Sequence, residues 1–213
     1  MATNEKGILG GFSGKVGTVI GGSWNGVDYM RGIASEISNP QTEKQQNQRA
    51  KVATMVRFLR PMTNILRVGF KKQAVKMSAF NAATSYNLSH AINGFYPDFE
   101  IDYSKVMVSQ GKLPGAINPQ VSCPAGGKMK FTWQDNSSEK GAMPDDRALL
   151  VVYDQENGKV ITEMKGNLRA SQSQVITLPS SFEGAEVHCY IAFQNANQTV
   201  ISDSRYAGEI VVK

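Results

Sequence analysis

From residue 117 to the C-terminus the chain is cut into short apolar–polar segments, with turn signals between them at intervals of about 8–15 residues, and this constrains the fold more than anything else in the sequence. The segments are Gln120–Cys123, Lys128–Trp133, Ala148–Tyr153, Val160–Lys165, Ser173–Leu178, Glu186–Phe193 and Ser204–Val212. Most alternate apolar and polar residues, as strands with one buried face do. Seven such strands in a stretch of this length predict an antiparallel β-sandwich of the immunoglobulin or fibronectin III type. Trp133 and Tyr190 are the expected aromatic centre of its core.

The N-terminal part reads differently. Gly7, Gly10, Gly11 and Gly14 make residues 1–14 an arm that cannot fold alone. Asn25-Gly26 then stands between two runs rich in Val, Ile, Trp and Tyr, a strong hairpin signal because both residues tolerate positive φ. Strands are expected near 16–24 and 27–33, with Gly21-Gly22 and Gly32 marking bulges or close backbone contacts. Two strands alone are marginal. Val19, Ile20, Trp24, Tyr29 and Met30 exceed what such a hairpin can bury in itself, so they form a candidate assembly interface, packing on their own chain or on another subunit.

Asn39-Pro40 breaks the chain, and Thr42 with Gln45 opens a capping-box pattern. A helix follows from about Glu43 to Val68, with Val52, Met55, Val56, Leu59, Met62 and Leu66 on one arc and Pro61 kinking or splitting it. Ser78 caps a further helix near 79–93, ending at Asn93-Gly94. Residues 95–116 read as an extended connector with one strand at Lys105–Ser109. The expected architecture is therefore α+β, in four segments: arm and hairpin (1–37), two or three α-helices (38–94), connector (95–116) and sandwich (117–213).

Charge divides along the same lines. Residues 1–97 hold 12 Lys and Arg against 4 Asp and Glu, a net of +8, and the remainder holds 11 against 14, a net of −3. Arg49, Arg57, Arg60, Arg67 and Lys71 fall on a second arc of the first helix, with Lys72 and Lys76 close by. These seven are candidate contacts to an anionic partner, whether phosphate or an acidic protein face. They could also be simply solvated, or face the acidic connector at Asp98, Glu100 and Asp102.

The strand KMKFTWQDN and the segments EVHCYIAFQNA and SDSRYAGEIVV resemble a fibronectin type III-like domain. Over most of its length the chain also resembles an uncharacterised family of about 210-residue Bacteroidota proteins. The shared stretches are GKVGTVIGGSWNGVDYMR, NPQTEKQQNQR, FNAATSYNLSHAI, YPDFEIDYSKVMVSQGKLPG, WQDNS and SRYAG. That resemblance implies no activity and no catalytic residues. The hairpin followed by NP-x-T-x-x-Q-x-x-x-R and a helix is similar to elements of phage-type structural proteins.

Enzyme chemistry finds little to work with. Gly14-Lys15 is followed by Val16 and preceded at the first glycine position of a phosphate loop by Leu9, so both that glycine and the magnesium-binding hydroxyl are missing. His188 and Cys189 point to opposite faces of a strand and cannot share a zinc ion, and His90 lies elsewhere. No cofactor, metal or small-molecule substrate is expected. Cys123 and Cys189 are expected as free buried thiols, a disulfide being the alternative. No apolar run approaches the roughly 18–20 residues of a membrane span, and no secretory signal is recognisable at the start, so the default location is the cytoplasm, or a virion or other assembly. The expectation is a non-enzymatic structural or assembly protein, a homo-oligomer or the partner of another structural protein. Its alternative is a nucleic-acid-associated protein that binds phosphate through the basic helix face.

Overall fold

A computed structural model describes residues 3–4, 11–24, 26–36, 39, 41–124 and 126–213. Gly7 and Gly10 of the arm, Asn25 of the hairpin turn and Pro40 of the chain break lie outside the described residues.

The N-terminal region is a four-stranded antiparallel sheet rather than a hairpin with a loose arm. Strands β1 (Thr3–Asn4), β2 (Phe12–Val16), β3 (Val19–Trp24) and β4 (Val27–Gly32) lie side by side in chain order. The expected strand at 16–24 is interrupted at Gly17, whose φ of 57° makes the tight turn between β2 and β3. The two central glycines are seats for aromatic rings. A Cβ on Gly21 would lie 2.7 Å from the Phe12 ring, and one on Gly22 would lie 3.0 Å from the Tyr29 hydroxyl. Each ring thus covers backbone on one face of the sheet, in the manner of aromatic rescue of strand glycines.

Helix α1 (Glu43–Leu59) begins as the capping pattern requires, with Thr42 Oγ1 accepting from the Gln45 N–H at 3.4 Å. Pro61 does split the helical run: Arg60–Met62 form a 3₁₀ turn before α2 (Thr63–Gly69) resumes. Helix α3 (Ala79–His90) starts at Ser78, whose Oγ accepts from Asn81 N–H at 3.1 Å. It stops short of the expected Asn93-Gly94 end, because that pair is taken up by β5 (Ile92–Phe95), which forms a hairpin with β6 (Asp98–Ile101). Ile92 and Ile101 stand opposite each other and pack on the helical core, an arrangement a longer helix would forfeit.

The connector has no strand at Lys105–Ser109. After a 3₁₀ turn at Tyr103–Lys105 its backbone is satisfied by side chains instead of a ladder. Buried Asn87 of α3 donates through Nδ2 to Met107 O and accepts from Met107 N–H, both at 2.9 Å. Ser204 Oγ accepts from Val108 N–H at 2.9 Å, and Ser109 Oγ donates to Ser202 O at the same distance. Gly69 is packed so closely against Val108 O that a Cβ there has no room.

The remaining strands form the sandwich. One sheet runs β11 (Ser173–Thr177), β8 (Lys128–Gln134), β7 (Ile117–Ser122). The other runs β10 (Lys159–Glu163), β9 (Arg147–Asp154), β12 (Glu186–Gln194), β13 (Arg205–Val211). All pairs within the two sheets are antiparallel, and the seven-strand, two-sheet layout is that of an immunoglobulin-like sandwich. Both cysteines are free and buried, and burial pushes the Cys189 thiol up to about 12.

Register corrects the expected core. Cys189, Ile191 and Phe193 of β12 face the other sheet, so alternation turns Tyr190 outward, and it belongs to a second core. The inner aromatic partner of Trp133 is Phe193, edge-on at 5.6 Å. The second core lies between the outer face of β9 and β12 and the helices. It joins Leu149, Val151, Tyr153, Tyr190 and Ala192 to Met55, Leu59, Met62, Leu66 and Ala83. The body therefore has three layers: helices, four-stranded sheet, three-stranded sheet. Its cores cross the segment bounds drawn at 94 and 116.

At the centre of one sandwich end lies Arg169, fully buried. Its Nε donates to Asp146 Oδ2 at 3.1 Å, Nη1 to Asn136 Oδ1 at 2.5 Å and Nη2 to Pro114 O at 2.9 Å, while its guanidinium lies 3.9 Å over the Phe193 ring. Trp133 Nε1 donates to the Arg169 carbonyl at 2.7 Å. One side chain thus ties the connector, the β8–β9 loop and the segment before β11 to the sandwich core.

His188, also buried, sits where β12 meets the connector. Its ring stacks on Tyr103 at 3.7 Å and its nitrogens lie 2.9 Å from Tyr206 Oη and 2.9 Å from Gln155 Oε1. Gln155 Oε1 only accepts, so Nε2 carries the proton and Nδ1 accepts from the Tyr206 hydroxyl. Burial lowers the imidazole pKa, against the opposing pull of Glu209 (3.8 Å from Nδ1) and Glu186. Between that lowered value and the ordinary value of about 6.5, the unfolded chain binds more protons at this site than the folded one. Stability therefore rises with pH through the window and levels off above it. The urea midpoint should fall between about pH 7.5 and about pH 5, and fall less in His188→Gln, whose amide can serve the same two neighbours. Equal falls in both proteins would show that another group is responsible.

Candidate functional site

Two surfaces are left uncovered by this architecture. The first is the N-terminal sheet, which makes no extensive contact with the helices or the sandwich among the described residues. Residues opposite each other in register share a face, so the two faces can be read from the pairing. Ile20, Trp24, Val27, Tyr29, Lys15 and Arg31 share one, and Val16, Val19, Met30, Phe12 and Asp28 share the other. Trp24 is 61% exposed and Met30 72%, and Val19 and Tyr29 are exposed as well, whereas Ile20 is half-buried. The five candidate interface residues thus belong to one sheet but to both of its faces: Ile20, Trp24 and Tyr29 on one, Val19 and Met30 on the other. Phe12 and Val16 join them; sequence reasoning missed Phe12 because it lies inside the glycine-rich arm, and placed Val16 at the start of the expected strand without counting it in the interface.

Strand β4 is the outer strand, and every residue in it is exposed. Ile33 N–H donates inward to Thr18 O at 2.8 Å, so by alternation Asp28, Met30 and Gly32 turn their backbone N–H and C=O groups outward. An edge of this kind is a template for pairing with a further strand.

The second surface is cationic. Arg49, Arg57, Arg60, Arg67, Lys71, Lys72 and Lys76 are all exposed. Among the described residues none lies within salt-bridge distance of a carboxylate. Asp102, one of the expected counter-charges, is held by its neighbours instead. Hydrogen bonds from Lys105 and Ser104 depress its pKa to about 2, with Lys105 Nζ at 2.8 Å. The seven cations do not form one track. Arg49 is bound to Asn39 Oδ1 at 2.6 Å. Arg57 and Arg60 line an open cleft of ≈ 990 Å³ with Phe99, Tyr103 and Tyr153, and with the carboxylates Glu100 and Glu156. Desolvation raises the Tyr103 phenol to about 12, so it is a neutral donor there.

Lys71 and Lys72 belong to a different groove, of ≈ 610 Å³, at the end of α2. Its floor is apolar, with Val68, Met164 and Val200, and its third cation, Lys165, follows β10. No sequence spacing relates Lys165 to Lys71 and Lys72, because the sandwich alone brings it there. Arg67 and Lys76 line neither cavity.

The remaining polar chemistry is internal. His90 is at a helix end, its Nδ1 2.7 Å from Tyr86 O. The described residues hold no cluster of three or more potential metal ligands. No helix among them is long and apolar enough to cross a membrane.

The class defined by these features is an α+β protein in which a helical layer covers one face of a C-terminal β-sandwich. Residues 11–208 match the family of unknown function DUF6266, and the chain belongs to that family. Among curated proteins none matches it.

Proposed function

We propose that this chain is a non-enzymatic structural protein that assembles with further copies of itself through its N-terminal sheet. One observation carries the reading: the sheet bears large apolar side chains on both faces and, among the described residues, an unpaired edge at β4, while the body has its own two cores. Two-sided apolar strands of this size are not stable in water without a cover. A second copy supplies one by symmetry, since β4 can pair antiparallel with β4 about a twofold axis. With the axis at Tyr29, Asp28 stands opposite Met30 and the outward backbone groups meet.

Light scattering on the full-length protein tests this. Trp24→Ser combined with Met30→Ser should lower the mass of the assembled species, and both residues are exposed, so folding of the body should be unaffected. A wild-type protein that stays monomeric at high concentration, or a variant with unchanged mass, would remove the reading.

Phosphate binding along the helix face is the second reading, and it is supported by seven exposed cations that have no carboxylate partner among the described residues. Their dispersal, with Arg57 and Arg60 in one cavity that also holds Glu100 and Glu156, Lys71 and Lys72 in another, and Arg49, Arg67 and Lys76 in neither, gives a nucleic-acid backbone no continuous track.

A further inference from the structure

The β5–β6 hairpin carries the most exposed large apolar side chain of the described residues, Phe95, at 89%. Asp98 is its direct partner across the turn, and Asn93 and Glu100 pair one step further along. All four therefore point the same way, and all four are exposed. The opposite face of the hairpin is used up within the chain. Ile92 and Ile101 pack on the helical core, and Lys51 lies 5.2 Å over the Phe99 ring. The outward face is thus a phenyl ring flanked by two carboxylates, held on a hairpin anchored to the body.

The groove at the end of α2 has the complementary chemistry. It offers an apolar floor and the three ammonium groups of Lys71, Lys72 and Lys165, and no carboxylate among the described residues lines it. The two features stand at opposite ends of the helical run. Tyr96, at the hairpin tip, reaches Gln46 in the first turn of α1 (3.4 Å), whereas the groove lies beyond the last turn of α2. With a rise of about 1.5 Å per residue, the stretch from Gln46 to Lys71 holds them on the order of 30 Å apart. The knob of one chain therefore cannot fill its own groove.

We propose that the Phe95 hairpin of one copy docks in the Lys71–Lys72–Lys165 groove of the next. The phenyl ring meets the apolar floor, and Asp98, its cross-strand partner, meets the lysines. This deepens the self-assembly reading and rests on it, but it names a second, different contact. The sheet edges pair like with like, whereas knob and groove are unlike surfaces, so this contact runs head to tail and propagates as a ring or a filament.

The unlike character gives the test. In the Trp24→Ser/Met30→Ser background, one protein also carries Phe95→Ser and Asp98→Ser, and another also carries Lys71→Glu and Lys72→Glu. All four positions are exposed, so the body should fold normally. Each protein alone lacks one half of the contact and should run as a monomer by light scattering. An equimolar mixture retains one intact knob and one intact groove, and should show a dimer. A mixture that stays monomeric overturns the proposal, as does either protein associating as strongly as its background. So does binding of a labelled single-stranded oligonucleotide that is lost with the lysine substitutions while the masses stay unchanged, because the groove then serves phosphate. The sheet contact is judged separately, from Trp24→Ser/Met30→Ser against wild type, so either contact can fail without the other.

Discussion

Arg169→Met will destabilise the protein by about 3–5 kcal/mol. The substitution keeps most of the side-chain volume and its contact with Phe193, so the loss is electrostatic rather than a cavity effect. It leaves the Asp146 carboxylate fully buried beside an apolar group, with Met143 N–H, at 2.9 Å, as its remaining donor. It also strips Asn136 Oδ1 and Pro114 O of the donor each now has. Removing one member of a buried ion pair costs far more than the pair contributes, because the survivor cannot return to water. For a chain of this size, each kcal/mol shifts the melting temperature by roughly 2–4 °C. Urea denaturation measures the effect directly. The double variant Arg169→Met/Asp146→Asn should recover part of the loss, since a neutral amide is cheaper to bury than a carboxylate. A single variant within about 1 kcal/mol of wild type would mean that the pair is not buried as described.

Asn87→Leu is expected to cost roughly 2–5 kcal/mol. The new side chain is of similar size and apolar, and it sits on a helix whose remaining residues are undisturbed. Among the described residues, what it removes is the only partner of both backbone groups of half-buried Met107, and a group left unsatisfied away from water costs roughly 1–3 kcal/mol. Because the connector links helices to sandwich, the damage should be local before it is global. Hydrogen exchange at Met107 and Val108 should accelerate more than exchange in β9 or β12. Uniform acceleration would show that Asn87 stabilises the helical layer rather than the connector.

The same two side chains show where reading the sequence stops. Arg169 lies in a loop, NLRAS, with nothing local to announce burial; its partners come from positions 114, 136 and 146. Asn87 reads as an indifferent polar residue of a small-residue helix. Both owe their roles to segments distant in the chain, and periodicity carries no information about them. One long-range signal was present. The runs Ala148–Tyr153 and Val187–Phe193 are almost continuously apolar, and such strands are covered on both faces. That pattern announces the helical layer on the sheet and explains why Tyr190 lies outside the inner core.

Of the candidate surfaces, the apolar excess of residues 19–30 was legible because it depends only on composition and local turn chemistry. The docking groove was not, since Lys165 joins Lys71 and Lys72 only after β10 has been placed beside β9.

Local chemistry determined the turn at Gly26, the caps at Thr42 and Ser78, the break at Pro61 and all seven sandwich strands, because each of these follows from φ/ψ preference or from the period of the apolar residues. The tertiary structure alone decided which face of each strand is buried, where the connector finds its hydrogen bonds and which charges share a cavity. Those depend on the burial of surfaces that meet only when distant segments pack, and a residue's own neighbours in the chain do not encode that meeting.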